Sequence, residues 1–220
     1  AKSFLVADLD SGFVLAEKNY QEKLPIASLT KLMTALVVSE NVDLRKTIEI
    51  KKEMLNGFGT STVVEEGKRL SVIELFYPLL VESSNDAANA LGYFLGRIRI
   101  IDLMNEKAKS ILMKNTNFTD ASGYDPGNVS TAQDLFYLAR YVRNNRSPLL
   151  EITKSKPVRD FGLIDFDIKA LWNKNVFVND SSFVGGKTGF IKDSLYTGIF
   201  IFRFYDKVNK IRDIVIILLG

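Results

Sequence analysis

The sequence contains no histidine and no cysteine, and these two absences exclude several kinds of chemistry. A Ser-His-Asp triad, a thiol nucleophile, a disulfide and the usual zinc sites are all impossible without them. Hydrolytic chemistry would have to use serine, threonine, lysine, tyrosine or a carboxylate. No spacing of Asp and Glu suggests a carboxylate metal site, so we expect no metal and no cofactor.

An excess of one charge and long hydrophobic runs are also missing. The 29 basic and 26 acidic residues leave a net charge of +3 and are dispersed, without the basic stripe that nucleic-acid binding needs. The apolar run 214–219 is long enough for a buried strand but not for a membrane span. With 46% hydrophobic residues in 220, the composition indicates a globular domain. Because the first residue is alanine, we expect a processed or trimmed chain.

Residues 27–36 (Ala-Ser-Leu-Thr-Lys-Leu-Met-Thr-Ala-Leu) resemble the first turns of a buried helix that begins after Pro25. Ser28 and Lys31 are three residues apart, which places them on one face of a helix. Ser28 also lies near the helix N-terminus, where free N–H groups favour developing negative charge. The pair can be a nucleophile with its base. Equally, it can be a helix cap beside a solvated lysine.

Two further motifs favour the catalytic interpretation. Ser83-Ser84-Asn85 lies between a helix predicted over 71–81, with a Ser71–Glu74 capping box, and one predicted over 86–94. Lys187-Thr188-Gly189 follows a glycine pair, ahead of the C-terminal strands. A second Ser-x-Asn at residues 39–41 lies too far along the Ser28 helix to face Ser28. Ser-x-x-Lys, Ser-x-Asn and Lys-Thr-Gly, in this order, are the motifs of penicillin-binding proteins and serine β-lactamases.

The remaining pattern predicts an α/β (α+β) fold. It predicts an antiparallel sheet built from both chain termini and flanked by helices, with a helical insertion between them. The predicted strands are 3–8, 13–17, 47–50, 157–161, 166–171, 196–204 and 211–219. Further helices are predicted over 101–113 and 131–144, and loops over 56–61 and 115–130. We expect one catalytic domain over 1–220, with a sheet lobe (about 1–27 and 155–220) and a helical lobe (about 41–154).

The wider sequence resembles the low-molecular-mass D-alanyl-D-alanine carboxypeptidases, the S11 serine peptidases. Residues 27–35 resemble the nucleophile segment of that family, and residues 79–88 (Leu-Leu-Val-Glu-Ser-Ser-Asn-Asp-Ala-Ala) resemble its second motif. The resemblance covers nearly the whole chain. Two stretches depart from the usual pattern: 191–195, and 120–124 (Asp-Ala-Ser-Gly-Tyr), where a His-Gly-Leu-like turn is more usual. We expect the chain to lack the C-terminal β module and the membrane-anchoring helix of that family.

The resemblance implies a penicillin-binding-protein/serine β-lactamase-like fold and a serine DD-carboxypeptidase that works through an acyl-enzyme. Its partners would be peptidoglycan stem peptides ending in D-Ala-D-Ala, and β-lactam antibiotics would acylate it. The expected location is the periplasm or the extracytoplasmic face of the bacterial cytoplasmic membrane. Membrane contact would occur only through segments that this chain does not contain.

The residues' own chemistry assigns the catalytic roles. Ser28 would attack the peptide carbonyl, Lys31 would act as its general base, and Ser83 would relay a proton to the departing amine. A lysine acts as a base only when it is partly neutral, and we expect burial together with the second cation Lys187 to lower the pKa of Lys31.

The other site residues would bind the substrate. Asn85 would hold the substrate amide, Lys187 and Thr188 would hold the terminal carboxylate, and Gly189 would let the substrate backbone approach. By resemblance, the backbone N–H groups of Ser28 and Phe190 would form the oxyanion hole.

Two alternatives remain. A class A-like serine β-lactamase shares the three motifs but needs a deacylating glutamate in a Glu-x-x-Leu-Asn segment. That segment is missing, and Glu151 stands in a different context. A catalytically silent peptidoglycan-binding domain is the second alternative, and three intact motifs argue against it.

Overall fold

The computed structural model describes residues 1–55, 59, 61–158 and 162–220, in which helices pack on an antiparallel sheet. The strands are β1 (Ser3–Asp8), β2 (Val14–Lys18), β3 (Leu24–Pro25), β4 (Thr47–Glu49), β5 (Arg69–Ser71), β6 (Val129–Ser130), β7 (Phe183–Ile191), β8 (Leu195–Tyr205) and β9 (Ile211–Leu219). The α-helices are α1 (Thr30–Asn41), α2 (Val72–Tyr77), α3 (Asn85–Leu95), α4 (Arg97–Ser110), α5 (Ala132–Asn145) and α6 (Pro148–Thr153).

Both ends of the chain form the main sheet. Its strand order is β2-β1-β9-β8-β7, and each neighbouring pair is antiparallel. β1 pairs with β9 from Ser3 opposite Leu219 to Asp8 opposite Ile214, which joins the two termini. Residues 213, 215, 217 and 219 of β9 are buried in alternation, as expected for a strand with one face on the core. The predicted α+β fold with a sheet from both termini is therefore confirmed.

The helix that follows Ser28 runs through the core. Every residue of α1 from Thr30 to Val38 is buried, including Lys31. A helix that is apolar around nearly its whole circumference must be enclosed by other elements. α1 is enclosed by α3, α4 and the turn that follows α2. The apolar spacing of the sequence predicted this enclosure. Because other elements hold α1 in place, the orientation of its first turn is fixed as well.

The second helix is shorter than predicted. Its start is as expected, because the Ser71 N–H donates to Glu74 Oε2 (2.7 Å) and the Glu74 N–H donates to Ser71 Oγ (3.4 Å). From Pro78 to Glu82, however, the backbone widens into a π-helical turn. Ser83 then adopts a left-handed conformation (φ 63°), and Ser84 caps α3. Such π turns are frequent at functional sites.

Several sequence predictions were wrong in detail. Residues 166–171 do not form a strand, because Asp167 accepts a hydrogen bond from the Lys169 N–H and starts a 3₁₀ turn (Ile168–Ala170). Lys187-Thr-Gly precedes β8 and β9, as predicted, but it lies inside a strand, β7, that the sequence did not predict. α4 begins at Arg97, four residues before the predicted start.

Other predictions are not tested by the structure. Residues 159–161 of the predicted strand 157–161, and most of the predicted loop 56–61, lie outside the described residues. The division into two lobes stays a prediction. α5, which belongs to the predicted helical lobe, packs on β1 and β9 of the predicted sheet lobe. Within the described ranges, no helix is long and apolar enough to cross a membrane.

A buried carboxylate joins α5 to the sheet. Asp213 of β9 is fully buried and accepts hydrogen bonds from Arg203 of β8 (2.8 and 2.9 Å) and from Arg143 of α5 (2.9 Å). Replacing Asp213 by asparagine would remove the carboxylate that pairs with Arg203 and leave Arg143 with only the exposed Asp10 as its counter-charge. Breaking such a pair costs about 3 kcal/mol.

We therefore expect Asp213→Asn to lower Tm by about 6–12 °C in a thermal melt followed by circular dichroism. Asp43→Asn is the matched control, because Asp43 pairs with Arg45 at the surface. The control should melt close to the wild type. Equal melting temperatures for the two variants would contradict a stabilising role of the buried cluster.

Candidate active site

Ser28 lies in a 3₁₀ turn (Ala27–Leu29) that runs directly into α1. Ala27 has a left-handed backbone (φ 49°), which turns the chain sharply out of β3. The Thr197 hydroxyl of β8 donates to the Ile26 carbonyl (3.1 Å) and fixes the start of this turn to the sheet. Ser28 is therefore presented at the junction of α1 and the sheet.

Two glycines let other backbone segments contact this turn. A Cβ on Gly189 of β7 would lie 2.8 Å from the Ser28 nitrogen, and a Cβ on Gly123 would lie 1.9 Å from the Ala27 carbonyl oxygen. No side chain fits at such distances. β7 and the loop at 120–125 therefore approach Ser28 from two sides only because these positions are glycine.

Lys31 lies beneath Ser28 and has no exposed surface. Its ammonium nitrogen is hydrogen-bonded to Ser28 Oγ (2.9 Å), Asn85 Oδ1 (2.7 Å) and the Ser122 carbonyl oxygen (2.6 Å). Burial lowers the pKa of Lys31 from its usual value to about 7, and the charge of Asp120 acts in the opposite direction. A large share of Lys31 is therefore neutral near neutral pH.

The three partners of Lys31 determine where its lone pair points. The Asn85 and Ser122 oxygens are carbonyl oxygens, which can only accept hydrogen bonds. When Lys31 is neutral, its N–H groups satisfy these two acceptors. The lone pair is then left for the only partner that can donate, the Ser28 hydroxyl. This arrangement is that of a serine with its base.

A second buried lysine holds the other serine of the cleft. Lys187 of β7 donates to Ser83 Oγ (2.8 Å) and to the Thr188 carbonyl (2.7 Å). Burial, followed by the charges of Lys31 and Lys174, lowers the pKa of Lys187 well below its ordinary value. The left-handed Ser83, placed by the π turn, brings its hydroxyl to this amine.

Burial is the main cause of the lowered pKa of Lys31, as expected. The two amines are also coupled, because the charge of Lys31 contributes to the lowered pKa of Lys187. The predicted effect of the Lys187 charge on the pKa of Lys31 stays a prediction.

A cleft of about 930 Å³ opens above these groups. It is lined by predicted site residues, namely Ser28, Ser83, Asn85, Thr188, Gly189 and Phe190. Lys31 and Lys187 lie below them and are hydrogen-bonded to Ser28 and Ser83. The Phe190 ring is half exposed and packs on Tyr196, with 4.8 Å between ring centroids. The structure thus brings all the residues predicted from the three motifs to one cleft.

The sequence analysis placed residues 120–124 in a predicted loop but did not assign them to the site. Ser122 contributes through its backbone carbonyl, which no side-chain pattern could reveal. Gly123 has a left-handed backbone (φ 78°), and a Ser-Gly pair inside a predicted loop is the only signal that the sequence offered. Thr197 was missed as well, because its contact is to a backbone carbonyl distant in sequence.

Comparison with known proteins relates this cleft to peptidases. A family model described as D-alanyl-D-alanine carboxypeptidase (Peptidase_S11) matches residues 1–201. The chain is 37% identical over 207 residues to a D-alanyl-D-alanine endopeptidase of Haemophilus influenzae, covering 91% of this chain and 70% of the relative. It is 30% identical to the D-alanyl-D-alanine carboxypeptidase DacF of Bacillus subtilis, covering 89% of this chain and 52% of the relative. It thus spans about half the length of the latter protein.

A solved structure shows the same architecture. The chain superposes on penicillin-binding protein D2 from Listeria monocytogenes, in its cefotaxime-bound form, with a TM-score of 0.82 and 31% sequence identity. The match covers 100% of this chain and 89% of that chain.

We expect Gly123→Ala to reduce acylation of Ser28 strongly, because its Cβ would overlap the Ala27 carbonyl and displace the nucleophile turn. Gly12→Ala is the matched control. Gly12 has a similar backbone (φ 75°), and a Cβ at this position would have no other atom within 4 Å. Both variants bear the strain of alanine at positive φ, which costs about 1 kcal/mol.

The measurement is the rate of covalent labelling by a fluorescent penicillin, with thermal melts of both variants. The control should lose a little stability and label normally. Normal labelling of Gly123→Ala would contradict the contact.

Proposed function

The chain belongs to the D-alanyl-D-alanine carboxypeptidase family, peptidase S11, and we propose that it removes the terminal D-alanine from peptidoglycan stem peptides through an acyl-enzyme on Ser28. The observation that carries this proposal is the buried Lys31 amine, whose lone pair is left for the Ser28 hydroxyl. Such a substrate lies outside the cytoplasm, so we expect the protein to act in the cell envelope. A periplasmic location or one at the outer face of the cytoplasmic membrane is part of the proposal.

Acylation begins with proton transfer from Ser28 to neutral Lys31. The Ser28 oxygen then attacks the carbonyl of the peptide bond, and the carbonyl oxygen becomes an oxyanion. The backbone N–H groups of Ser28 and Phe190 are assigned to bind this oxyanion. The close approach of Gly189 to the Ser28 nitrogen supports the assignment, because it brings the backbone of β7 beside the nucleophile.

Collapse of the intermediate needs a proton on the departing nitrogen. Ser83 is assigned as the relay, because its hydroxyl lines the cleft and is held by Lys187. The proton given up by Ser28 thus ends on the amine of the released D-alanine. Water then attacks the acyl-enzyme, and Lys31 accepts its proton. Lys31 passes this proton to the Ser28 oxygen as the ester bond breaks, so the shortened peptide leaves and the serine hydroxyl is restored.

Substrate binding uses the remaining site residues. Asn85 Oδ1 accepts from Lys31, so its Nδ2 is assigned to donate to the substrate amide carbonyl. Thr188 and Lys187 are assigned to the terminal carboxylate. Because a nearby anion favours the protonated form of an amine, carboxylate binding would raise the pKa of Lys187 and favour its charged form.

Neither alternative fits the cleft as well. A class A-like β-lactamase needs a glutamate beside the acyl-enzyme, but Glu151 lies on α6, where it pairs with Lys154 (2.9 Å). Glu82 does line the cleft, yet its two oxygens accept from the Ser61 hydroxyl and the Trp172 N–H. A silent binding domain would not need a serine hydroxyl joined to a buried amine.

The first test is mass spectrometry of products from diacetyl-Lys-D-Ala-D-Ala. The wild type should release one D-alanine, and Ser28→Ala should release none. Ser39→Ala is the matched control, because Ser39 belongs to the other Ser-x-Asn and its hydroxyl donates only to the Leu36 carbonyl within the described hydrogen bonds. A cross-linked peptide dimer tests endopeptidase activity, which the name of the H. influenzae relative suggests. Product formation by Ser28→Ala would overturn the proposal.

The second test is the pH dependence of Ser28 acylation by benzylpenicillin. Because only neutral Lys31 accepts the proton, the second-order rate constant should rise with pH around a midpoint near 7. Lys31→Arg should lower the rate about 10²- to 10⁴-fold and remove this rise, because a guanidinium stays protonated. Lys23→Arg, at an exposed lysine, is the matched control and should keep the wild-type profile. A flat wild-type profile would refute Lys31 as the base.

A further inference from the structure

The loop at 120–125 is folded around one carboxylate. Asp120 Oδ1 accepts hydrogen bonds from the Ser122 N–H (2.6 Å), the Ser122 hydroxyl (3.1 Å) and the Gly123 N–H. Its other oxygen accepts from the Asp125 N–H (2.7 Å). A carboxylate that accepts hydrogen bonds from several backbone N–H groups fixes the path of the chain around it. We call residues 120–125 the Asp120 turn.

The Asp120 turn contacts the nucleophile segment through three consecutive residues. The Ala121 carbonyl accepts from the Thr34 hydroxyl of α1 (2.7 Å), and the Ser122 carbonyl accepts from the Lys31 amine (2.6 Å). Gly123 packs on the Ala27 carbonyl. The turn is therefore part of the wall that buries Lys31, and it supplies one of the two carbonyls that orient the amine.

The base of the turn is also fixed. Asn128 Oδ1 accepts from the Thr119 N–H (3.2 Å) and the Asp120 N–H (3.5 Å). The backbone on both sides of the carboxylate is thus held, and a change at Asp120 would be transmitted to the Ser122 carbonyl rather than absorbed by the loop.

We propose that Asp120 is a positioning residue for Lys31, which folds residues 121–123 against the amine and places a negative charge behind it. The inference rests on the proposed function, because the acylation of Ser28 is its readout. Asp120 is not among the residues that line the cleft, and its carboxylate bonds to residues of its own turn.

The charge has a defined electrostatic effect. Burial lowers the pKa of Lys31, and the Asp120 carboxylate partly opposes this by raising it. Around Lys31, Lys187 on β7 is coupled to it, Glu82 on the π turn lines the cleft, and Asp86 is buried at the start of α3. The ionisable side chains of α4, which also packs on α1, are exposed or half-buried. Glu53 and Arg97 share a small cavity with Asp120. Among the described groups, Asp120 is the one whose charge raises the pKa of Lys31.

The test compares pH profiles of Ser28 acylation for the wild type, Asp120→Asn and Asp120→Glu. Asparagine has nearly the same shape but no charge, so the midpoint should move down by about one pH unit. We divide each rate constant by the plateau rate constant of the same variant. At a pH well below the midpoint, this ratio should be about ten times larger for Asp120→Asn than for the wild type. Asp120→Glu keeps the charge and should keep the wild-type midpoint.

The plateau rate constant of Asp120→Asn at high pH should be lower than that of the wild type. An amide nitrogen cannot accept hydrogen bonds from the N–H groups of the turn, so the turn is held less well. Asp125→Asn is the matched control. Its carboxylate lies in the same turn but accepts from the Gly127 N–H (2.7 Å), so its midpoint should equal that of the wild type. Asp120→Ser provides a second neutral variant, and thermal melts identify which variants are folded.

An unshifted midpoint in a folded neutral variant, whatever its plateau, would overturn the inference and leave Asp120 as a purely structural residue. The failure of the proposed function gives a different result. In that case the wild type itself would neither acylate nor release D-alanine.

Discussion

The active site depends on one packing constraint, the meeting of three backbone segments at Ala27 and Ser28 with no room for a side chain. β7 approaches at Gly189 and the Asp120 turn approaches at Gly123. This closeness excludes water from the space below Ser28. Because Lys31 fills that space, its amine is buried and its pKa is lowered. The reactivity of the serine is therefore a consequence of how tightly the backbone packs around it.

The cleft contains two serine–lysine pairs with the same hydrogen-bonding pattern. In each pair a buried amine is hydrogen-bonded to a serine hydroxyl, Lys31 to Ser28 and Lys187 to Ser83. The first amine comes from the central helix and the second from the edge strand of the sheet, so the pairs face each other across the cleft only in the complete fold. Their amines are coupled, and the charge of Lys31 contributes to the lowered pKa of Lys187. In the proposed mechanism the first pair takes a proton and the second passes one on.

The sequence predicted the parts of the site that depend on local spacing. Ser28 and Lys31 lie one helical turn apart, and Ser83-Ser84-Asn85 lies between helices, as expected. It did not predict β7 as a strand, because glycines weaken the β signal in 183–191. Nor could it reveal the Ser122 carbonyl, since every residue has one. The complete burial of both Lys31 and Lys187 depends on packing in three dimensions, which spacing along the chain does not give.

The burial of Lys31 also links folding to proton release. In an unfolded chain a lysine keeps its proton up to about pH 10.4, whereas folded Lys31 loses it near pH 7. Between these values the unfolded state binds more protons, so the free energy of unfolding rises with pH across this interval. Below about pH 7 both states are protonated, and the folded state carries the full penalty of a buried charge. Deprotonation of Lys31 therefore strengthens the fold, and it is the same event that, in the proposed mechanism, allows Ser28 to act as a nucleophile.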